Sequence, residues 1–131
     1  MKALLLDDTH PLLEEGLIAG GLELVREFDE PLAVLTERHV DAEVIIIRSR
    51  LKVTKDFLHA FPQLKVIGRL GAGLENIDIE EAARKQIVCL RVPEGNARAV
   101  AEHALGMLLS LLNHLPRVQR EIKEGKWLRE S

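Results

Sequence analysis

One cysteine, little net charge and no long apolar run remove several classes of protein before any motif is read. Cys89 sits in Ile87-Val88-Cys89-Leu90, where a free thiol behaves as a small buried hydrophobe, and alone it supports no intramolecular disulfide framework. A formal charge of -3 gives no electrostatic reason to expect nucleic acid or an anionic membrane as partner. The longest nearly uncharged stretch, residues 104–112, falls well short of the roughly 20 residues that span a bilayer. At the start, Lys2 is followed by only four apolar residues before Asp7 and Asp8, too few for a signal-peptide core, so cytoplasm is the expected location. What is present, 47% apolar and 30% charged residues in a chain of 131, is the composition of one compact globular unit.

Five short runs rich in Leu, Val and Ile, at 3–6, 22–25, 44–47, 65–67 and 87–90, alternate with helix-like stretches and read as strands. Several are apolar at consecutive positions, which suits strands covered on both faces, as in a parallel sheet flanked by helices. Pro11 and Pro31 fall where first-turn prolines are tolerated, Asp29 and Thr54 are candidate caps, and Gly20-Gly21 and Pro62 mark stops. Asp78 with Glu81 three residues on resembles a capping box opening a helix over 79–85. The alternation predicts a flavodoxin-like α/β domain with a five-stranded parallel sheet, its ligands gathered at the carboxyl ends of the strands.

Beyond the last strand the pattern changes. Pro93-Glu94-Gly95-Asn96 reads as a turn with Asn96 as cap, followed by a long helix over 97–113. Val100, Ala104, Leu108, Leu111 and Leu112 could cover the sheet, while Ala101, Leu105, Met107 and Leu109 point elsewhere. A helix apolar on every side needs a second partner. Pro116 opens a more charged segment that Gly125 ends, and Trp127 stands in a charged tail that leaves it without an obvious docking place. Two regions follow: 1–95, the flavodoxin-like unit, and 96–131, a long interface helix with a hinge segment.

Two motifs begin well and then fail. Leu6-Asp7-Asp8-Thr9-His10-Pro11 opens like a phospho-receiver, whose paired acids hold Mg²⁺. Such a site also needs an acceptor aspartate after the third strand and a lysine after the fifth; here those strand ends carry Arg48-Ser49 and Arg91-Val92-Pro93. Asp7 and Asp8 are read as a polar strand end, and no metal site is expected. Gly71-Ala72-Gly73-Leu74-Glu75-Asn76 begins like a dinucleotide fingerprint, but Asn76 replaces the third glycine and Leu90-Arg91-Val92 supplies no acid for a ribose hydroxyl. What remains is either a small anion-binding nest of backbone N–H groups or a tight turn, and spacing alone does not choose.

The segment Leu64-Lys65-Val66-Ile67-Gly68-Arg69-Leu70-Gly71-Ala72-Gly73-Leu74-Glu75-Asn76-Ile77-Asp78 resembles a signature of the D-2-hydroxyacid dehydrogenases, particularly the branch that acts on D-3-phosphoglycerate. Upstream, Ile46-Ile47-Arg48-Ser49-Arg50-Leu51-Lys52-Val53-Thr54 is similar to that family's substrate-loop strand. Downstream, Val92-Pro93-Glu94-Gly95-Asn96-Ala97-Arg98-Ala99-Val100-Ala101-Glu102-His103-Ala104 resembles the helix leading out of its substrate domain, and Glu124-Gly125-Lys126-Trp127 fits its approach to the cofactor domain. Order and spacing agree from about Val44 onward, whereas the first forty residues match only in pattern.

The resemblance implies that Gly71, Ala72 and Gly73 present amides to the carboxylate of a small 2-hydroxy or 2-oxo acid, with Arg48 and Ser49 beside the same pocket. The alternative for Arg48 is a surface arginine in a strand-end loop. It also implies that Asn96 and Val100 look toward the nicotinamide of NAD, although helix capping alone would explain Asn96 and a core role Val100. The family's catalytic arginine, glutamate and histidine match no position here, so no catalytic residue is assigned and NAD is expected to be bound mainly by a nucleotide-binding domain beyond this segment. His10, His39, His59, His103 and His114 show no carboxylate partner in the sequence, and His103 is read as a helix-surface or interface residue. Glu75 stands where the family usually has aspartate. The fragment alone is expected to be inactive and to form a homodimer through the 97–113 helix; the alternative is a free-standing flavodoxin-like binding or dimerisation module.

Overall fold

A computed structural model describes residues 1–127. Strands β1 (Lys2–Leu5), β2 (Glu23–Arg26), β3 (Val44–Ile47), β4 (Val66–Arg69) and β5 (Val88–Leu90) are joined by helices α1 (Pro11–Ala19), α2 (Leu32–His39), α3 (Lys55–Ala60) and α4 (Ile79–Arg84). Helices α5 (Glu94–Leu112) and α6 (Leu115–Lys123) follow. All four strand pairings are parallel and the order is β2-β1-β3-β4-β5, so the flavodoxin-like sheet expected from the apolar runs is the one observed. The chain divides into two compact units, Met1–Gly95 and Asn96–Ser131.

In the first unit the consecutive apolar residues of a strand serve two separate cores, because successive side chains leave opposite faces of the sheet. Leu4 and Leu6 join Ile45, Ile47, Phe57, Phe61 and Ile67 on one face. Ala3 and Leu5 join Val44 and Ile46 on the other, where Leu13 and Leu17 of α1 pack against them. Gly68 pairs with Ile46 across β3 and β4, and a Cβ there would lie 2.7 Å from Ile46 Cδ1, so the missing side chain makes room for the isoleucine.

The helix starts are mostly those the sequence marks. His10 caps α1, with Pro11 in its first turn; the Thr54 hydroxyl accepts from Phe57 N, and the Asp78 carboxylate accepts from Glu81 N at 3.0 Å. Three local expectations are corrected. Asp29 is not a cap: it takes a left-handed φ of 68°, a conformation Asp tolerates, and extended Pro31 caps α2 through its carbonyl. The capping box at Asp78 is one-sided, since the Glu81 carboxylate bonds His59 and Arg84 instead of returning to the cap. Asn96 is not a cap either, because α5 starts at Glu94, directly after Pro93, and Asn96 lies within its first turn.

In the second unit α5 has no buried residue. Val100, Leu108, Leu111 and Leu112 are 58%, 52%, 68% and 67% exposed, and Ala104 is exposed too. Leu105, Met107 and Leu109 are about half exposed as well. His114 at φ 52° separates α5 from α6, and Gly125 at φ 73° follows α6. Trp127 is 75% exposed. Among the described residues no helix is long and apolar enough to cross a membrane.

Candidate functional site

Parallel strands bring the loops that follow them to one edge of the sheet, so the residues after β1, β3, β4 and β5 meet there. Asp7, two residues beyond the end of β1, is buried. Its Oδ2 accepts from Arg48 N at 2.7 Å and its Oδ1 from Arg50 Nε at 3.2 Å. Arg50 also donates to Leu6 O at 2.8 Å and pairs with Asp29 at 3.5 Å. The carboxylate that resembled a metal ligand is thus a brace for the loop after β3.

Asn76 braces the same loop from the other side. Its Nδ2 donates to Arg48 O at 3.1 Å and to Leu51 O at 2.8 Å, while its Oδ1 is buried with no partner among the described residues. Both backbone polar groups of Arg48 are therefore held by side chains, one from the β1 end and one from the glycine loop. The Arg48 side chain itself is exposed and forms no ion pair among the described residues, unlike Arg26, Arg38, Arg50, Arg69 and Arg84 of the same unit. Ser49 is exposed on the same turn.

The glycine loop is arranged with its carbonyls engaged. Val92 N donates to Gly71 O at 3.0 Å and Arg91 Nη1 to Ala72 O at 3.0 Å. Gly71 N turns back to Arg69 O, whereas the amides of Ala72 and Gly73 find no acceptor among the described residues. Two adjacent free N–H groups on a half-buried loop are donors suited to a carboxylate. Neither glycine has a positive φ; what a side chain would meet is the Arg69–Glu75 ion pair, 3.0 Å long, whose flexible ends lie across the loop and would have to move aside. A Cβ on Gly71 would coincide with the Arg69 guanidinium, and one on Gly73 with the Glu75 carboxylate.

Between the loops after β1 and β3 lies a cavity of about 520 Å³ lined by Asp8, Thr9, His10, Pro11, Arg48 and Leu70. The structure thus brings Arg48, Ser49, Gly71, Ala72 and Gly73 to one edge, linked by Asn76. Asn96 and Val100 belong to the second unit, where both are exposed on α5. Sequence reasoning missed Asp7, Asn76 and Arg91 as braces and His10 as a lining residue. Their partners stand 41, 28 and 19 residues away in the first three cases, and no local spacing reports such contacts.

The expectation that no histidine has a carboxylate partner is also corrected. His39 Nε2 meets Glu27 Oε1 at 2.8 Å and His59 Nε2 meets Glu81 Oε1 at 2.6 Å. In each case the histidine hydrogen bond is the largest cause holding the glutamate below the usual carboxylate range. Neither pair lines the cavity beside Arg48. Burial raises the Cys89 thiol, in keeping with an inert, partly buried side chain.

Residues 3–125 match the family model of the D-isomer specific 2-hydroxyacid dehydrogenase catalytic domain. The chain belongs to this family. It is 38% identical over 130 residues to D-3-phosphoglycerate dehydrogenase of Sus scrofa, covering 99% of this chain and 24% of that enzyme. Among solved structures, D-lactate dehydrogenase from Aquifex aeolicus, complexed with NAD and lactic acid, superposes with a TM-score of 0.79 at 25% identity, covering 100% of this chain and 39% of that one. The NADPH-dependent glyoxylate/hydroxypyruvate reductase from Sinorhizobium meliloti, in complex with NADP and malonate, gives a TM-score of 0.75 at 29% identity, covering 98% and 40%. The chain thus spans about a quarter of the length of the curated relatives it matches.

The Aquifex aeolicus neighbour is in complex with NAD and the Sinorhizobium meliloti one with NADP, and the donor set here shows how little of such a dinucleotide this segment can hold. Asn76, at the third-glycine position, is occupied with Arg48 and Leu51, and the residue ending β5 is followed by Arg91 rather than an acid. A pyrophosphate and an adenosine ribose therefore have no cradle in the glycine loop.

Proposed function

We propose that this chain is the substrate-carboxylate platform of an NAD-dependent D-2-hydroxyacid dehydrogenase of the D-3-phosphoglycerate dehydrogenase type. The observation that carries the reading is the pair of free amides at Ala72 and Gly73, on the same strand-end edge as an unpaired arginine whose backbone is fixed at both ends. A carboxylate at this edge accepts from the two amides and pairs with the Arg48 guanidinium in fork geometry, with Ser49 as a further donor. Because Asp7 and Asn76 already hold the Arg48 backbone, little ordering is left for the ligand to impose. Bound NAD supplies the hydride acceptor; in this chain Asn96 and Val100 are the residues assigned to its nicotinamide side. Fixing the acid's carboxylate orients its C2 hydrogen, the positioning part of a hydride transfer.

Amide NMR on the chain titrated with D-lactate tests this reading: Ala72 and Gly73 resonances should shift and the Arg48→Ala variant should bind about tenfold or more weakly, the charge-assisted fork being lost. Unshifted loop amides at saturating lactate would refute the platform. The chain alone is expected to form no NADH from 3-phosphoglycerate, since the histidine–carboxylate pairs it contains lie away from the platform.

A second reading concerns assembly, and a specific observation favours it. Val100, Leu105, Met107, Leu108, Leu109, Leu111 and Leu112 leave α5 apolar and exposed all round, and Val88 and Leu90 of β5 are exposed as well. Exposed apolar surface on this scale marks a contact between proteins. The occupant proposed is a second copy, so the protein is a homodimer through α5, residing in the cytoplasm. Light scattering at micromolar concentration should return the dimer mass; a monomer mass would exclude it.

A further inference from the structure

The two free amides of the glycine loop belong to peptide units whose carbonyl ends are held. In a trans peptide the C=O of one residue and the N–H of the next lie in one plane and point in opposite directions, so a partner that fixes the carbonyl also fixes that N–H. Among the described residues no peptide bond is cis. The Ala72 N–H shares its plane with Gly71 O, which accepts from Val92 N at 3.0 Å. The Gly73 N–H shares its plane with Ala72 O, which accepts from Arg91 Nη1 at 3.0 Å. Two consecutive residues after β5 therefore draw both carbonyls toward themselves, and both N–H groups point away from that segment. The two supports differ in kind. Val92 uses main chain, whereas Arg91 uses an exposed guanidinium that meets no carboxylate among the described residues. A cation on a carbonyl polarises the whole peptide unit and makes its N–H a stronger donor. The Glu75 carboxylate, which lies against Gly73, is already paired with Arg69 at 3.0 Å, so its charge is compensated locally.

We infer that Arg91 is a positioning residue of the carboxylate platform: through Ala72 O it sets the direction and the donor strength of the Gly73 N–H that donates to the substrate carboxylate. This rests on the platform reading proposed above and deepens it by naming what holds one of its two amides. Arg91 acts through the peptide unit, from the side of the loop opposite to the donors. Because the Ala72 amide is held by main chain, substitution at 91 reaches the Gly73 donor and leaves its neighbour in place. The two amides should therefore respond differently to one change of side chain, which a general loosening of the loop would not produce.

Arg91→Met keeps an unbranched side chain and removes donor and charge together, while Arg91→Lys keeps a charged donor as a single point. Wild-type chain and both variants are compared by backbone amide relaxation and then titrated with D-lactate. In Arg91→Met the Gly73 amide should gain motion on the picosecond to nanosecond scale while the Ala72 amide stays as in wild type. D-lactate should bind that variant about threefold to tenfold more weakly, one hydrogen bond's worth of positioning being lost. Arg91→Lys should bind within about twofold of wild type. Lactate binding by Arg91→Met that matches wild type overturns the inference. So does weaker binding in which both amides are disturbed alike and the urea midpoint falls, as a folding defect would give, and so does an Arg91→Lys variant as weak as Arg91→Met. Wild-type chain that fails to bind D-lactate refutes the platform itself and takes the Arg91 assignment with it, whereas wild-type binding with an indifferent Arg91→Met leaves the platform standing and removes Arg91 from it.

Discussion

In the first unit Leu4, Ile45, Ile47 and Ile67 are wholly buried, whereas in the second Val100, Leu108, Leu111 and Leu112 are each more than half exposed, although both sets come from nearly uninterrupted apolar sequence. Strands in a parallel sheet have two faces to cover and find partners for both within 95 residues. A helix that is apolar all round finds no such partner in its own unit. An apolar run therefore announces a demand for burial and does not say which molecule will meet it.

Substitutions that remove the same kind of side chain from the two units should separate them sharply. Ile45→Ala, in the central strand pairings, should cost about 2–5 kcal/mol in urea unfolding, as buried aliphatic truncations do. Near-wild-type stability would mean that the first unit does not depend on its sheet core. Asp78→Ala removes the α4 cap within the same unit and should cost about 1 kcal/mol, with no change in the slope of the transition.

Acid should weaken the first unit by a smaller step, through Glu81. His59, then Arg84, hold its carboxyl below the usual range, so the folded value lies under the unfolded one. The associated stabilisation is complete above the unfolded value and is lost as pH falls through the folded one. Urea midpoints should therefore fall more steeply as pH drops through and below the ordinary carboxylate range in wild type than in Glu81→Gln; parallel curves would remove Glu81 from the account. The smallest effect is expected in the second unit. Leu108→Ala should leave the unfolding of dilute protein within about 0.5 kcal/mol of wild type, while Leu108→Glu should lower the mass seen by light scattering if α5 pairs two copies.

The layered fold was legible because it depends on the chain's own periodicity. The runs at 44–47 and 87–90 name β3 and β5 to within a residue, and Pro11 and Thr54 mark helix starts that depend only on neighbouring backbone. Asp29 and Asn96 were misread because each competes with a proline nearby, and proline's fixed φ decided both helix starts. The outline of the site was legible from its resemblance to a family, since Arg48 and the glycine loop keep their order and spacing. The braces were not, because Asp7 and Asn76 act across the sheet edge on a residue far away in sequence. His10 was hidden for a related reason: its spacing identifies a helix start, while its place beside Arg48 exists only after the strands have paired.

The ion pair that lies over Gly71 and Gly73 couples four positions. Since neither glycine is demanded by backbone angle, what a side chain there would meet is the flexible end of a neighbour: that of Arg69 at 71 and that of Glu75 at 73. An alanine at either place therefore displaces a guanidinium or a carboxylate rather than backbone, and its cost falls on the Arg69–Glu75 contact. The smallness of the loop and the charge pair above it are thus two sides of one arrangement.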